Sequence, residues 1–271
     1  MNKPANQPYL TFISDEDLFE CIEEVYSKYK KEFEGITYKD FVNNKLDPIK
    51  MFFDMRMRNL NEQEWIMGEI SRQVDRSISN AIGSFHEHII SKMSDLILDK
   101  DKNYGIDLYN EQKTMFVEVK NKHNTLKGED KKAVFAKLEA LAIKYEEAKC
   151  YFVTIIDKKS KEKEWSFIAN VNKEPKNFHH CRVIEITADN LYYKLTGDPN
   201  SFKDFCEALP NAINEFLLGK EEELIDQKEM MSKRLLLSSE MIEQAQMRGW
   251  DLETFLCDAE FSKSKYRGFT L

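Results

Sequence analysis

Near residue 105 the apolar pattern of this chain changes period, and that change limits the folds open to it. Before it, Ile66, Ile70, Val74, Ile78, Phe85, Ile89 and Met93 recur at helical spacing, predicting one long helix from about Glu62 to Leu98. After it, IDLY (106–109) and TMFVEVK (114–120) alternate with period two, joined by the polar turn NEQK. Helical spacing returns in EDKKAVFAKLEALAIKYEEA, with Val134, Leu138, Leu141 and Tyr145 on its inner face. CYFVTIID is a nearly continuous apolar run, as expected of a central strand buried on both faces. WSFIANV and CRVIEIT read as two more strands, and the chain from Ala188 onward reads as helices. This order predicts an α/β fold, a mixed central sheet flanked by helices with further helices at both ends.

Local signals support the helices. Ser14 with Asp17, and Asn61 with Glu64, have capping-box spacing, and Asp47-Pro48 reads as an N-cap followed by proline in the first turn. Gly83 is a candidate kink or close-packing point in the long helix. Lys158, Lys159, Lys161 and Lys163 read as a hairpin tip.

Composition narrows the function. With 271 residues and 42% hydrophobic content the chain can bury a sizeable core. Its net charge of −8 argues against a nonspecific coat on nucleic acid, though not against a local basic groove. The five cysteines are scattered and never form a CxxC pair, so they read as free thiols in a reducing compartment. The N-terminus has no apolar signal core and no run is long enough to span a bilayer, so a cytoplasmic protein without membrane contact is expected.

The stretch GIDLYNEQKTMFVEVKNKHNT carries the chemistry. On a strand, Met115, Val117 and Val119 share one face, and Phe116, Glu118 and Lys120 share the other. If the two strands pair, Asp107, Glu118 and Lys120 converge. Two carboxylates and the Val119 carbonyl make a hard oxygen site that suits Mg2+, and such an ion activates water against a phosphate. Lys120 is then placed to orient or help deprotonate that water and to stabilise charge on the phosphate. The same spacing also fits a solvated strand face with a surface ion pair. Beyond Lys120, Asn121, Lys122, Asn124 and Thr125 are donors suited to phosphate or base edges, and lysines outnumber acids between 118 and 132. Arg72, Arg76 and Asn80 share a helix face and are second candidates for DNA contact, with a solvated face as the alternative.

GIDLYN and FVEVKNKHNT, with NAIGSFHEHII upstream and LYYKLTGDPNSFKDFCEALP downstream, resemble type II restriction endonucleases of the PD-(D/E)xK superfamily, in particular the subfamily that cuts at GGNCC or GGWCC. The resemblance covers roughly residues 45–218. The expected organisation is a nuclease domain over 1–219 that includes an N-terminal helical part, with 220–271 as a C-terminal helical extension, either an appendage or part of the same domain. The resemblance implies Asp107 and Glu118 as Mg2+ ligands, Lys120 as the catalytic lysine, and Glu87 as a further acid from the preceding helix. Ile106 stands where the superfamily name has proline. Double-stranded DNA, a homodimer matched to a palindromic site, and a protecting DNA methyltransferase are the partners implied. Two rivals remain open: a structure-specific or repair-type nuclease of the same superfamily, and a non-catalytic DNA-binding protein on that scaffold.

Overall fold

A computed structural model describes residues 7–34, 36–44, 46–122, 128–220, 227–252 and 254–256, with side chains described except at 31–34 and 227–230. The chain divides into two compact units, one of residues 1–25 and 81–220, the other of 26–80 and 221–271.

The first unit holds the sheet. Its strands are β1 (Ile97–Leu98), β2 (Leu108–Tyr109), β3 (Met115–Lys122), β4 (Lys149–Ile156), β5 (Glu162–Val171) and β6 (Glu174–Thr187), in spatial order β1-β2-β3-β4-β6-β5. β1, β2 and β3 pair antiparallel, β3, β4 and β6 are parallel, and β5 returns antiparallel to β6. The sheet is therefore mixed and flanked by helices, as the sequence predicts. The helix α5 (Gly128–Lys144) makes the crossover that a parallel β3–β4 pair requires. β4 is buried on both faces: Cys150 and Phe152 join one core with Phe116, Val134, Phe135 and Leu138, while Tyr151, Val153 and Ile155 join another with Val117, Val119, Phe85 and Ile89. The helices α6 (Ala188–Thr196) and α7 (Ser201–Leu218) complete the second of these cores through Leu191, Tyr192, Phe205 and Ala212.

The second unit is helical. It contains α2 (Tyr38–Asn43), α3 (Pro48–Arg58) and α8 (Gln227–Met247), around a core that includes Phe41, Met51, Ile66, Ile70, Met241 and Phe255. The division between units falls within α1 (Asp15–Glu34) and within α4 (Glu62–Lys92). The helix starts are those the sequence announces. The Asp17 N–H donates to Ser14 Oγ at 3.0 Å, the Lys50 N–H to Asp47 Oδ1 at 3.0 Å, and Asn61 and Glu64 cap each other reciprocally at 2.8 and 2.9 Å.

Three local expectations are corrected. The long helix stops at Lys92, because Ser91 and Ser94 turn the chain: Ser91 Oγ donates to the Leu96 carbonyl at 2.8 Å and Ser94 Oγ accepts from the Leu96 N–H at 3.2 Å. Ile97 and Leu98 are then free to form an extra strand. A Cβ at Gly83 would meet nothing within 4 Å, so it is not a close-packing point. Residues 158–161 connect β4 to β5, which are not sheet neighbours, so they are no hairpin tip, and Lys161 is drawn in between Asp157 and Glu185 at 2.8 Å each. The hairpin tip is Asn172-Lys173, both at positive φ (53° and 71°), the backbone of a two-residue turn matched to strand twist.

Candidate active site

The antiparallel register of β2 on β3, Leu108 opposite Val117, brings Asp107 alongside Glu118. The Asp107 N–H donates to the Val117 carbonyl at 3.1 Å, and the Asp107 carboxylate accepts from the Val119 N–H at 2.7 Å. Glu118 is only 4% exposed. A carboxylate this deep in a strand must be paired or lose its charge. The Lys120 Nζ lies 2.7 Å from its Oε1, 3.0 Å from the Val119 carbonyl oxygen and 3.8 Å from Asp107 Oδ2. The burial of Glu118 rules out the solvated strand face that the spacing alone left open.

A second ammonium reaches the other oxygen of Glu118. Lys137 of α5 donates to Glu118 Oε2 at 3.2 Å and to the Gly105 carbonyl at 2.7 Å. Gly105 has φ +67°, which favours glycine, and this turn aims its carbonyl at the lysine. Behind the loop, the buried Asp99 accepts from the N–H groups of Asn103, Tyr104 and Gly105 at 2.8, 2.9 and 2.9 Å, while its own N–H donates to the Asp107 carbonyl at 2.9 Å. Sequence reasoning missed both residues. Lys137 had a readable signal: with Val134, Leu138 and Leu141 it completes an i, i+3, i+4, i+7 stripe, an unusual place for a lysine. Asp99 had none that distinguished it from Asp95 or Asp101.

Charge density shapes the ionisation of the site. Burial pushes the Asp107 carboxyl up, helped by Glu118 and opposed by Lys120, the Val119 N–H and Lys137. Burial works against a charged Lys120, but Asp107, Glu118 and Glu87 outweigh it, so its pKa rises. Glu87 on α4 is raised to about 7, first by burial and then by the Asp107 charge, so it belongs electrostatically to the same cluster. Its neighbour His86 is pushed down to about 4 by burial, and its Nδ1 is buried without a hydrogen-bond partner among the described residues.

The remaining sequence candidates are more scattered. Asn121 follows Lys120 on the opposite strand face, with Oδ1 buried and unpartnered among the described residues. Lys122 shares the face of Glu118 and Lys120 and is exposed. Asn124 and Thr125 lie outside the described residues. Arg72, Arg76 and Asn80 are exposed on α4 within the helical unit, and Arg72 forks onto Glu69, its Nε donating at 2.6 Å, so it is engaged in a helix ion pair.

Carboxylate oxygens of Asp107 and Glu118 and the carbonyl oxygen of Val119 already converge on one cation, the Lys120 ammonium, and all are hard donors of the kind Mg2+ prefers. Such a donor set on an α/β core, backed by lysines, is of the kind that metal-assisted hydrolysis of phosphate esters uses. The family model for the Eco47II restriction endonuclease matches residues 10–218. The chain is 37% identical to the type II restriction enzyme Sau96I of Staphylococcus aureus over 265 residues, covering 96% of this chain and 98% of that protein. It is 32% identical to the type II restriction enzyme Eco47II of Escherichia coli over 222 residues, covering 78% of this chain and 89% of that one. The chain belongs to the Eco47II restriction endonuclease family.

Proposed function

We propose that this chain is a type II restriction endonuclease that hydrolyses phosphodiester bonds in double-stranded DNA at a short GGNCC-like palindrome, with Mg2+ as cofactor and a homodimer as the working unit. Family membership and the near-full-length likeness to type II restriction enzymes support the activity and weigh against a repair-type nuclease. One observation carries the chemistry: Glu118, 4% exposed, sits between Lys120 and Lys137 and beside Asp107. A binding-only scaffold has no use for so costly a buried charge cluster.

Asp107, Glu118 and the Val119 carbonyl would hold the ion, with Glu87 as a further acid. A bound divalent ion supplies a water of lowered pKa and neutralises charge developing on the phosphate. Lys120, beside Glu118 and Asp107, donates to the attacked phosphate or orients and helps deprotonate the water. Lys137 fixes the orientation of Glu118 and ties it to the Gly105 turn that leads into Asp107. Lys122 faces the same way and is positioned for the DNA backbone, with Asn121, Asn124 and Thr125 as further contacts and Arg72, Arg76 and Asn80 as a second set. The homodimer matches the two-fold symmetry of a palindrome, one site per strand, and light scattering with DNA bound should give the mass of two protomers plus one duplex. In the cell, a DNA methyltransferase of matching specificity protects the host.

Digestion of unmethylated phage DNA with Mg2+ tests this, beside Asp107→Ala and EDTA controls. Discrete bands absent from both controls are expected, and their ends define the site. A smear points to the repair-type nuclease. Binding without cleavage points to the scaffold.

A further inference from the structure

β6 is far longer than the sheet needs. Only Val183–Thr187 pair with β4, so the preceding residues leave the sheet with β5 as a two-stranded ribbon. A register shift between Glu164 and Ser166 redirects it there. Residues 170–177 are all exposed, so the distal ribbon gives no face to a core. A free ribbon is marginal in water, and this one is clamped at its base. Phe167 and Phe178 stack at 5.0 Å, and both meet Phe135 of α5 edge-on at 5.6 and 5.8 Å. Lys131 lies over the Phe167 ring at 4.2 Å, and Lys132 donates to the Asn170 carbonyl at 3.0 Å. The ribbon therefore leans on the first turns of α5, the helix whose Lys137 holds Glu118. At a rise of about 1.5 Å per residue, Lys132 and Lys137 are roughly 7.5 Å apart along that helix.

The exposed stretch carries Asn170, Asn172, Lys173, Lys176 and Asn177 against the lone acid Glu174, in a chain of net charge −8. Asparagine and lysine are the donors that read adenine and guanine edges, and a two-stranded ribbon has the width the major groove admits. We propose that the β5–β6 ribbon enters the major groove of the bound DNA, with Asn172 and Lys173 at its tip contacting bases and Lys176 the backbone. This rests on duplex DNA being the substrate.

The test is equilibrium binding of the full chain, with Ca2+ replacing Mg2+, to a duplex bearing the cleavage site recovered from digestion and to a scrambled duplex. Asn172→Ala and Lys173→Gly should each weaken binding to the site about tenfold or more, with a much smaller change on the scrambled duplex. Lys176→Ala should weaken both alike and flatten the salt dependence. Glycine accepts the φ of 71° at position 173, so Lys173→Gly should melt no lower than the parent chain, which separates lost contact from lost fold. Equal losses on both duplexes for Asn172→Ala and Lys173→Gly, or no loss, would overturn base reading by the ribbon, as would a change of oligomeric state with affinity intact. Failure of the parent chain to cut any DNA would instead overturn the proposed function.

Discussion

At the scale of residues, the site is a balance of buried charges, and single substitutions should tip it in computable directions. Removing the Lys137 ammonium leaves Glu118 Oε2 short of its donor, so Lys137→Met should destabilise the metal-free protein by about 1–3 kcal/mol. With one cation fewer beside two carboxylates, added Mg2+ should stabilise this variant more than the parent, and thermal melts across a Mg2+ titration would show the gap closing. His86 and Glu87 set opposed pH dependences. His86 falls from 6.5 to about 4 on folding, so protons favour the unfolded chain and stability is lost as pH drops from 6.5 toward 4. Glu87 rises from 4.5 to about 7, so folded-state stability is lost as pH climbs through that window. Between pH 4.5 and 6.5 the two offset. Glu87→Gln removes one side: without metal it should be more stable than the parent at pH 8, by about 1 kcal/mol after solvent screening, and should lose stability faster on acidification. Urea midpoints of the two proteins that run parallel from pH 5 to 8 would contradict this.

At the scale of elements, α5 does more than cross between parallel strands. Its apolar face fills one core, its Lys137 reaches the site, and its Phe135 anchors the ribbon. Phe135 is fully buried among Trp165, Phe167 and Phe178, so Phe135→Ala should cost about 3–5 kcal/mol in denaturant unfolding and also loosen the ribbon, visible as faster amide exchange at residues 168–178. Most of the helices, and β3, β4, β5 and the end of β6 that enters the sheet, are legible in the sequence because caps and periodicity are local, whereas the short helix α2 is not. β1 is not legible, since a strand of two residues has no period to detect and its residues continue the helical pattern. The true hairpin tip is hard to see in the sequence, because Asn172-Lys173 lacks the glycine that usually marks such a turn.

At the scale of the whole molecule, the sequence expectation of free thiols divides by burial. Cys21 and Cys150 are buried and their thiols are pushed up to about 12, chiefly by that burial, whereas Cys181 is exposed. An aromatic disulfide reagent at pH 8 should label Cys181 quickly in the native protein and leave Cys21 and Cys150 unreacted until denaturant is added. Among the described residues no helix is long and apolar enough to cross a membrane. By itself the sequence determined the strand face that carries Glu118 and Lys120, because alternation along a strand is a property of neighbouring residues, and it determined the α/β order of elements for the same reason. Only the tertiary structure decided that Glu118 is buried, that Lys137 reaches it from α5, and that β6 outruns the sheet to form a ribbon. Those depend on which strands pair and where a crossover helix lies, and contacts between residues distant in sequence leave no periodic trace in it.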